Sequence, residues 1–205
     1  MPNWCNNTVE IRHDDPAMIE RVRKAFNGEG LLQEFIPVPE DLQIVAGRTG
    51  DPDENAKIIE TEEANRAKHG YSNWYDFCVN EWGTKWDVGG DGYPAQDIPG
   101  GLRLAFDSAW SPPCAAYEKL TAMGFSIRAM YHEGGMCYAG IWEDGVDDYY
   151  EYTDMDSTEV ADALPPELDE EFAISESMAE WEAENQEIDL DEGLSATNEQ
   201  EQENE

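Results

Sequence analysis

The hydrophobic pattern alternates between two-residue and 3.6-residue periods, and the order of those stretches predicts an α+β domain. From Thr8 to His13, Val9 and Ile11 point one way while Thr8, Glu10 and Arg12 point the other, the mark of a half-buried strand. Asp15-Pro16 then reads as N-cap and first helical residue. Ile19, Val22 and Phe26 follow at helical spacing, and Gly28 is the expected left-handed end. Leu31 to Val38 is a short apolar run that reads as a strand or an extended edge, because Pro37 and Pro39 argue against a central strand. Residues 45–70 are polar and read as a loop followed by an exposed helix near 53–68, inserted between core elements.

Residues 71–87 are the aromatic centre of the chain. Ser72 is a candidate N-cap, Trp74, Cys78 and Trp82 recur every fourth residue, and Gly83 closes the helix. The Gly- and Pro-rich stretch 88–100 reads as a loop. Leu102, Leu104 and Phe106 alternate as a strand. Ser111-Pro112-Pro113 predicts a helix start, with Ala116, Tyr117, Leu120 and Met123 as its buried stripe and Gly124 as its end. Phe125 to Tyr131 alternates as a strand, His132 to Gly135 is a turn, and Met136 to Trp142 returns as another strand. Asp144-Gly145 makes a second turn, and Val146 to Tyr152 could add an edge strand. The order predicts a ferredoxin-like sandwich: a mostly antiparallel sheet with helices on one face, and a Trp-rich helical insertion at about 45–100.

Charge divides the chain. Its 205 residues carry a formal net charge of −35. Residues 1–143 hold 23 acids and all 12 bases, whereas residues 144–205 hold 24 acids and no Lys or Arg. The expected organisation is a domain at 1–152, an acidic linker with an amphipathic helix at 153–185, and a disordered acidic tail at 186–205. A chain this acidic is repelled by phosphate, so direct nucleic-acid binding and anionic membrane surfaces are disfavoured. No apolar run reaches the 18 or more residues of a membrane span, and no signal peptide is visible, which predicts a cytoplasmic protein.

Chemistry is sparsely marked. Cys5, Cys78, Cys114 and Cys137 form no Cys-x-x-Cys pair and read as reduced, buried hydrophobes. The three histidines are scattered, so neither a metal nor a cofactor is expected. Asp87 to Asp97 is only loosely like a calcium loop. Pro2, if Met1 were removed, would be a secondary amine at a strand start, a weak candidate for a general base.

Two sets of residues remain as binding candidates. Trp4, Trp74, Trp82, Lys85, Trp86 and Trp110 could form a ligand surface in which Lys85 supplies charge or a cation–π contact. The plainer alternative is that these tryptophans fill the core and Lys85 pairs with Asp87 or Asp76. In the acidic segment, Leu168, Phe172, Met178 and Trp181 recur near helical spacing and could anchor a helix near 166–184 on a basic partner. The acidic segment could equally serve only solubility, or imitate the charge of DNA.

Three segments carry a resemblance: Met1 to Val9, Asn73 to Asp87, and Phe106 to Pro113 with its Phe-Asp-Ser-Ala-Trp-Ser-Pro-Pro run. Together they resemble the YubB-like (Api-like) proteins of bacteriophages and conjugative plasmids, over roughly residues 1–143. The resemblance implies a ferredoxin-like domain, a mobile-element origin and a bacterial host cytoplasm, and it implies no reaction. The resulting expectation is a non-enzymatic accessory protein that binds a host macromolecule, such as a basic or nucleic-acid-binding protein in a counter-defence role. The alternative is a small-molecule-binding or catalytic domain centred on Trp-Gly-Thr-Lys-Trp.

Overall fold

The computed structural model describes residues 3–90 and 94–185; Pro2 and the tail expected to be disordered at 186–205 lie outside them. The chain divides into two compact units, Met1–Tyr149 and Tyr150–Glu205.

The first unit is built on an antiparallel sheet of order β2-β3-β1-β4-β5-β6. Its strands are β1 (Trp4–Arg12), β2 (Gln96–Ile98), β3 (Gly101–Ala109), β4 (Ser126–Glu133), β5 (Tyr138–Glu143) and β6 (Val146–Glu151). The first strand in the chain is central: Val9 lies opposite Leu104 on one side and Ala129 on the other. Because β3 and β4 both run against β1, they run parallel to each other. They are joined by α5 (Cys114–Ala122), with β1 between them, which is the split βαβ unit of ferredoxin-like folds.

Alternation decides what is buried. Cys5, Val9 and Ile11 of β1, Leu102, Leu104 and Phe106 of β3, and Ile127, Ala129 and Tyr131 of β4 share one core. Val22 and Phe26 of α1 (Pro16–Phe26) and Tyr117 and Leu120 of α5 belong to the same core. Burying a Val, Leu, Ile or Phe side chain contributes about 1.5–3 kcal/mol each, so this layer dominates the stability of the unit.

The sequence-predicted elements meet the structure unevenly. Asp15 caps α1 as expected, accepting the Ala17 N–H at 2.9 Å. The cap at its other end is Asn27, in right-handed geometry, rather than a left-handed Gly28. The run expected to be extended at 31–38 instead contains a helix, α2 (Leu31–Phe35). The insertion helix is present as α3 (Pro52–His69), capped by Asp51 and closed by left-handed Gly70. Next, α4 (Trp74–Glu81) is capped by Asn73, not Ser72; the Asn73 side chain accepts the Asp76 N–H at 3.1 Å. β2 lies inside the stretch read as loop. Ser111 does not cap α5, whose N-cap is Pro113; its hydroxyl donates to Gly83 O at 2.6 Å. Met123 is exposed rather than part of the α5 stripe, where Ala116, Tyr117 and Leu120 are buried.

The second unit contains α6 (Ser157–Ala163), which the periodicity did not predict, and α7 (Pro166–Phe172). Asp156 and Glu159 form a reciprocal capping box on α6. The single helix expected over 166–184 is broken at Ala173, which is left-handed, and residues 174–185 resume as helix. Asp169 bridges the break, accepting the Ser175 N–H at 2.8 Å and its hydroxyl at 2.5 Å. Among the described residues, no helix is long and apolar enough to cross a membrane.

Candidate functional site

The start of β1, the loop after α4 and the residues following β3 converge on one patch. The β1–β3 register sets Trp4 opposite Ala109. The Trp110 N–H then donates to Asn3 O at 2.9 Å, and the Tyr138 hydroxyl donates to Trp110 O at 2.6 Å. These bonds hold Trp110 in a left-handed backbone conformation (φ 69°), unusual for a bulky residue and sustained only by firm surroundings.

The loop after α4 is stitched to the same strand end. The Thr84 hydroxyl donates to Ala109 O at 3.0 Å and stands 3.1 Å from the Ala109 N–H, which it accepts. Gly83 has φ 85°, and a Cβ there would press on the backbone of Pro112, Cys114 and Ala115. The conformation favours glycine, and the close backbone adds to that preference. Just beyond the tryptophans, the half-buried Asp87 carboxylate accepts the N–H groups of Leu32 (2.6 Å) and Gln33 (2.8 Å), the first turn of α2. Burial raises the Asp87 pKa from its usual value, against the opposing pull of those backbone donors. Asp87 is thus a helix cap. At the other end of the loosely calcium-like stretch, Asp97 pairs with Arg23 at 2.5 Å.

Lys85 lies among three rings. Its ammonium is 4.6 Å from the Trp86 ring centroid, 5.0 Å from that of Trp110 and 5.8 Å from that of Tyr75. No carboxylate pairs with it among the described residues, so neither Asp76 nor Asp87 plays that part. Trp86 in turn meets Trp4 with ring centroids 5.8 Å apart, and Tyr75 meets Trp110 edge-on at 6.3 Å. The four rings are nevertheless substantially open to solvent: Trp4 49%, Trp110 42%, Trp86 39% and Tyr75 36%. Beside them a groove of about 290 Å³ is lined by Trp4, Trp86, Asp87, Val88, Phe106 and Asp107.

Of the residues singled out in the sequence, Trp4, Lys85, Trp86 and Trp110 come together here. Trp82 does not: it is 4% exposed, packs on Phe77 and donates its indole N–H to Ile36 O at 2.9 Å. Trp74 is half-buried against the core and reaches the patch only through Tyr75, 6.0 Å away. Tyr75 was missed. Its signal was its place four residues before Val79, which sets the two on one exposed side of α4, opposite the buried Phe77. In the second unit, Leu168 is buried, Phe172 and Met178 are half-buried, and Trp181 is exposed.

The polar groups of the patch are already engaged among the described residues. The patch holds one lysine engaged by rings, one carboxylate engaged by backbone, and Asp107, whose Oδ1 accepts Asn6 Nδ2 at 2.7 Å. Elsewhere the buried thiols of Cys5 and Cys78 are pushed up to about 12 by burial, which makes them poor nucleophiles. Among the described residues, no group of three or more His, Cys, Asp or Glu is placed to hold a metal ion.

No family model matches the chain, and no curated protein matches it. A solved structure, a protein api92 from Yersinia pseudotuberculosis of family model DUF1281, overlays with a TM-score of 0.41 at 16% identity. It covers 74% of this chain and 98% of the other.

Proposed function

We propose that this protein is a non-enzymatic binding protein whose first unit takes a basic partner protein on the Trp4–Tyr75–Lys85–Trp86–Trp110 surface. The observation that carries the reading is that four large aromatic side chains stay exposed together on a firmly braced backbone. Trp and Tyr dominate the energetic centres of protein interfaces because they bury large area at low entropic cost. The groove, about 290 Å³ and open, is at the small end for a small-molecule pocket, which favours a macromolecule resting across the face. The net charge of −35 adds long-range attraction for a basic partner and discourages nucleic acid. The finer setting, a phage- or plasmid-encoded accessory protein acting on a host macromolecule in the bacterial cytoplasm, rests on the Trp-rich motifs.

The test immobilises the full chain, exposes it to bacterial lysate, identifies the retained protein and measures its affinity after purification. Trp4→Ala/Trp110→Ala should weaken that affinity about tenfold or more, the scale of interface hot spots. Higher salt should slow association. Equal affinity for wild type and double variant would overturn the reading. Retention of no protein at all would move the site to a small ligand held near Lys85 and Trp86.

A further inference from the structure

The groove beside Trp4 and Trp86 has a chemistry of its own. Its lining among the described residues includes two indoles, the apolar Val88 and Phe106, and two acids, Asp87 and Asp107, with no lysine or arginine. The nearest base, Lys85, is engaged with the rings of Trp86, Trp110 and Tyr75 and does not line the groove. With centroids 5.8 Å apart and planes at 41°, the indoles touch each other and form one bent wall, so no ligand slides between them. Asp87 directs both oxygens at backbone N–H groups and contributes charge only. Asp107 differs: it is exposed, one oxygen accepts from Asn6, and no cation pairs with it among the described residues.

We infer that this groove takes an arginine side chain of the partner, its guanidinium stacked on the Trp4–Trp86 wall and hydrogen-bonded to Asp107. The inference rests on the binding reading above and names what the partner must present. A guanidinium is planar, weakly hydrated and rich in donors, so it can lie on an indole and meet a carboxylate at once. An ammonium is compact and strongly hydrated and uses the wall poorly. A nucleotide would stack, but its phosphate would meet two carboxylates. A sugar would stack and leave Asp107 without a counter-charge.

The probe is N-acetyl-arginine methylamide, titrated into the full-length protein while the indole N–H signals of Trp4 and Trp86 are followed by NMR. The expected result is saturable shifts at these two indoles with arginine, at least fivefold weaker binding of the lysine analogue, and weaker still of the uncharged citrulline analogue. Asp107→Asn should abolish the preference for arginine over citrulline while leaving the rest of the spectrum in place, which separates lost recognition from lost folding. Equal response to citrulline, shifts confined to other indoles, stronger response to a methyl glycoside or a nucleoside monophosphate, or no shift would each overturn the inference. Partner binding that depends on Trp4 and Trp110, but not on Asp107, would leave the interface standing and remove only the arginine.

Discussion

Gly30 and Asp87 occupy what would otherwise be the same space: a Cβ on Gly30 would fall on the Asp87 carboxylate. Gly30 precedes α2 with φ 132°, a conformation side chains rarely adopt, and Asp87 reaches over it to cap Leu32 and Gln33. Gly30→Ala should therefore destabilise the protein by about 2 kcal/mol or more, from steric conflict and backbone strain together. Asp87→Ala should cost about 1–2 kcal/mol through loss of the cap. Urea denaturation reads both, and an unchanged midpoint for either would refute this account of α2.

That pair also explains what the sequence could not show. Leu31, Leu32 and Phe35 do fit one helical turn, but the run is only five residues long, Pro37 and Pro39 follow it, and its cap lies more than fifty residues further along the chain. A local reading sees an extended edge; a tertiary hydrogen bond makes a helix. The strands, by contrast, were legible, because alternation in β1, β3 and β4 states directly which side chains face the core. The tryptophans fell between these cases. A four-residue stripe put Trp82 in the core, as helical spacing commonly does, whereas Trp4, Trp86 and Trp110 meet only through the β1–β3 register and the Thr84 bridge. Residue type alone could not separate the two fates.

Tyr117 is buried against Trp142, ring centroids 5.4 Å apart, and no protein group meets its hydroxyl. Removing that oxygen keeps the ring packing and removes a desolvated polar atom. Tyr117→Phe should leave stability unchanged or raise it by about 1 kcal/mol. A clear fall in the melting temperature would show that the hydroxyl has a role this packing does not account for.

Arg48 holds Glu62 through two hydrogen bonds, 2.7 and 3.0 Å, at the side of α3. The Arg48 guanidinium, more than any other neighbour, lowers the Glu62 pKa below its usual value. A depressed carboxyl contributes stability that is fully present above its unfolded pKa, near 4.5, and is lost as pH falls through the folded value. Wild-type stability should thus decline below about pH 4.5 more steeply than that of Glu62→Gln. At neutral pH Arg48→Ala should weaken the protein only slightly, because the arginine is exposed and solvent screens its charge. Parallel acid limbs for wild type and Glu62→Gln would remove Glu62 from the acid response.

Lys85 braces Trp86 and Trp110 by cation–π attraction, with a contribution of about 0.5–1 kcal/mol at an exposed site. Lys85→Met keeps much of the stem and removes the charge. The expected outcome is a loss of that size in thermal or urea unfolding, with Trp86 fluorescence shifted as the indole loosens. Stability and emission identical to wild type would mean that the rings hold themselves.

The place of β1 in the middle of the sheet has a consequence for synthesis. Its partners, 101–109 and 126–132, emerge from the ribosome about a hundred residues after it. At about 5–20 residues per second, the strand that everything else pairs with waits on the order of ten seconds, its Val9 and Ile11 side still bare. The body cannot fold progressively from its beginning. It must gather late, around a strand that was made first.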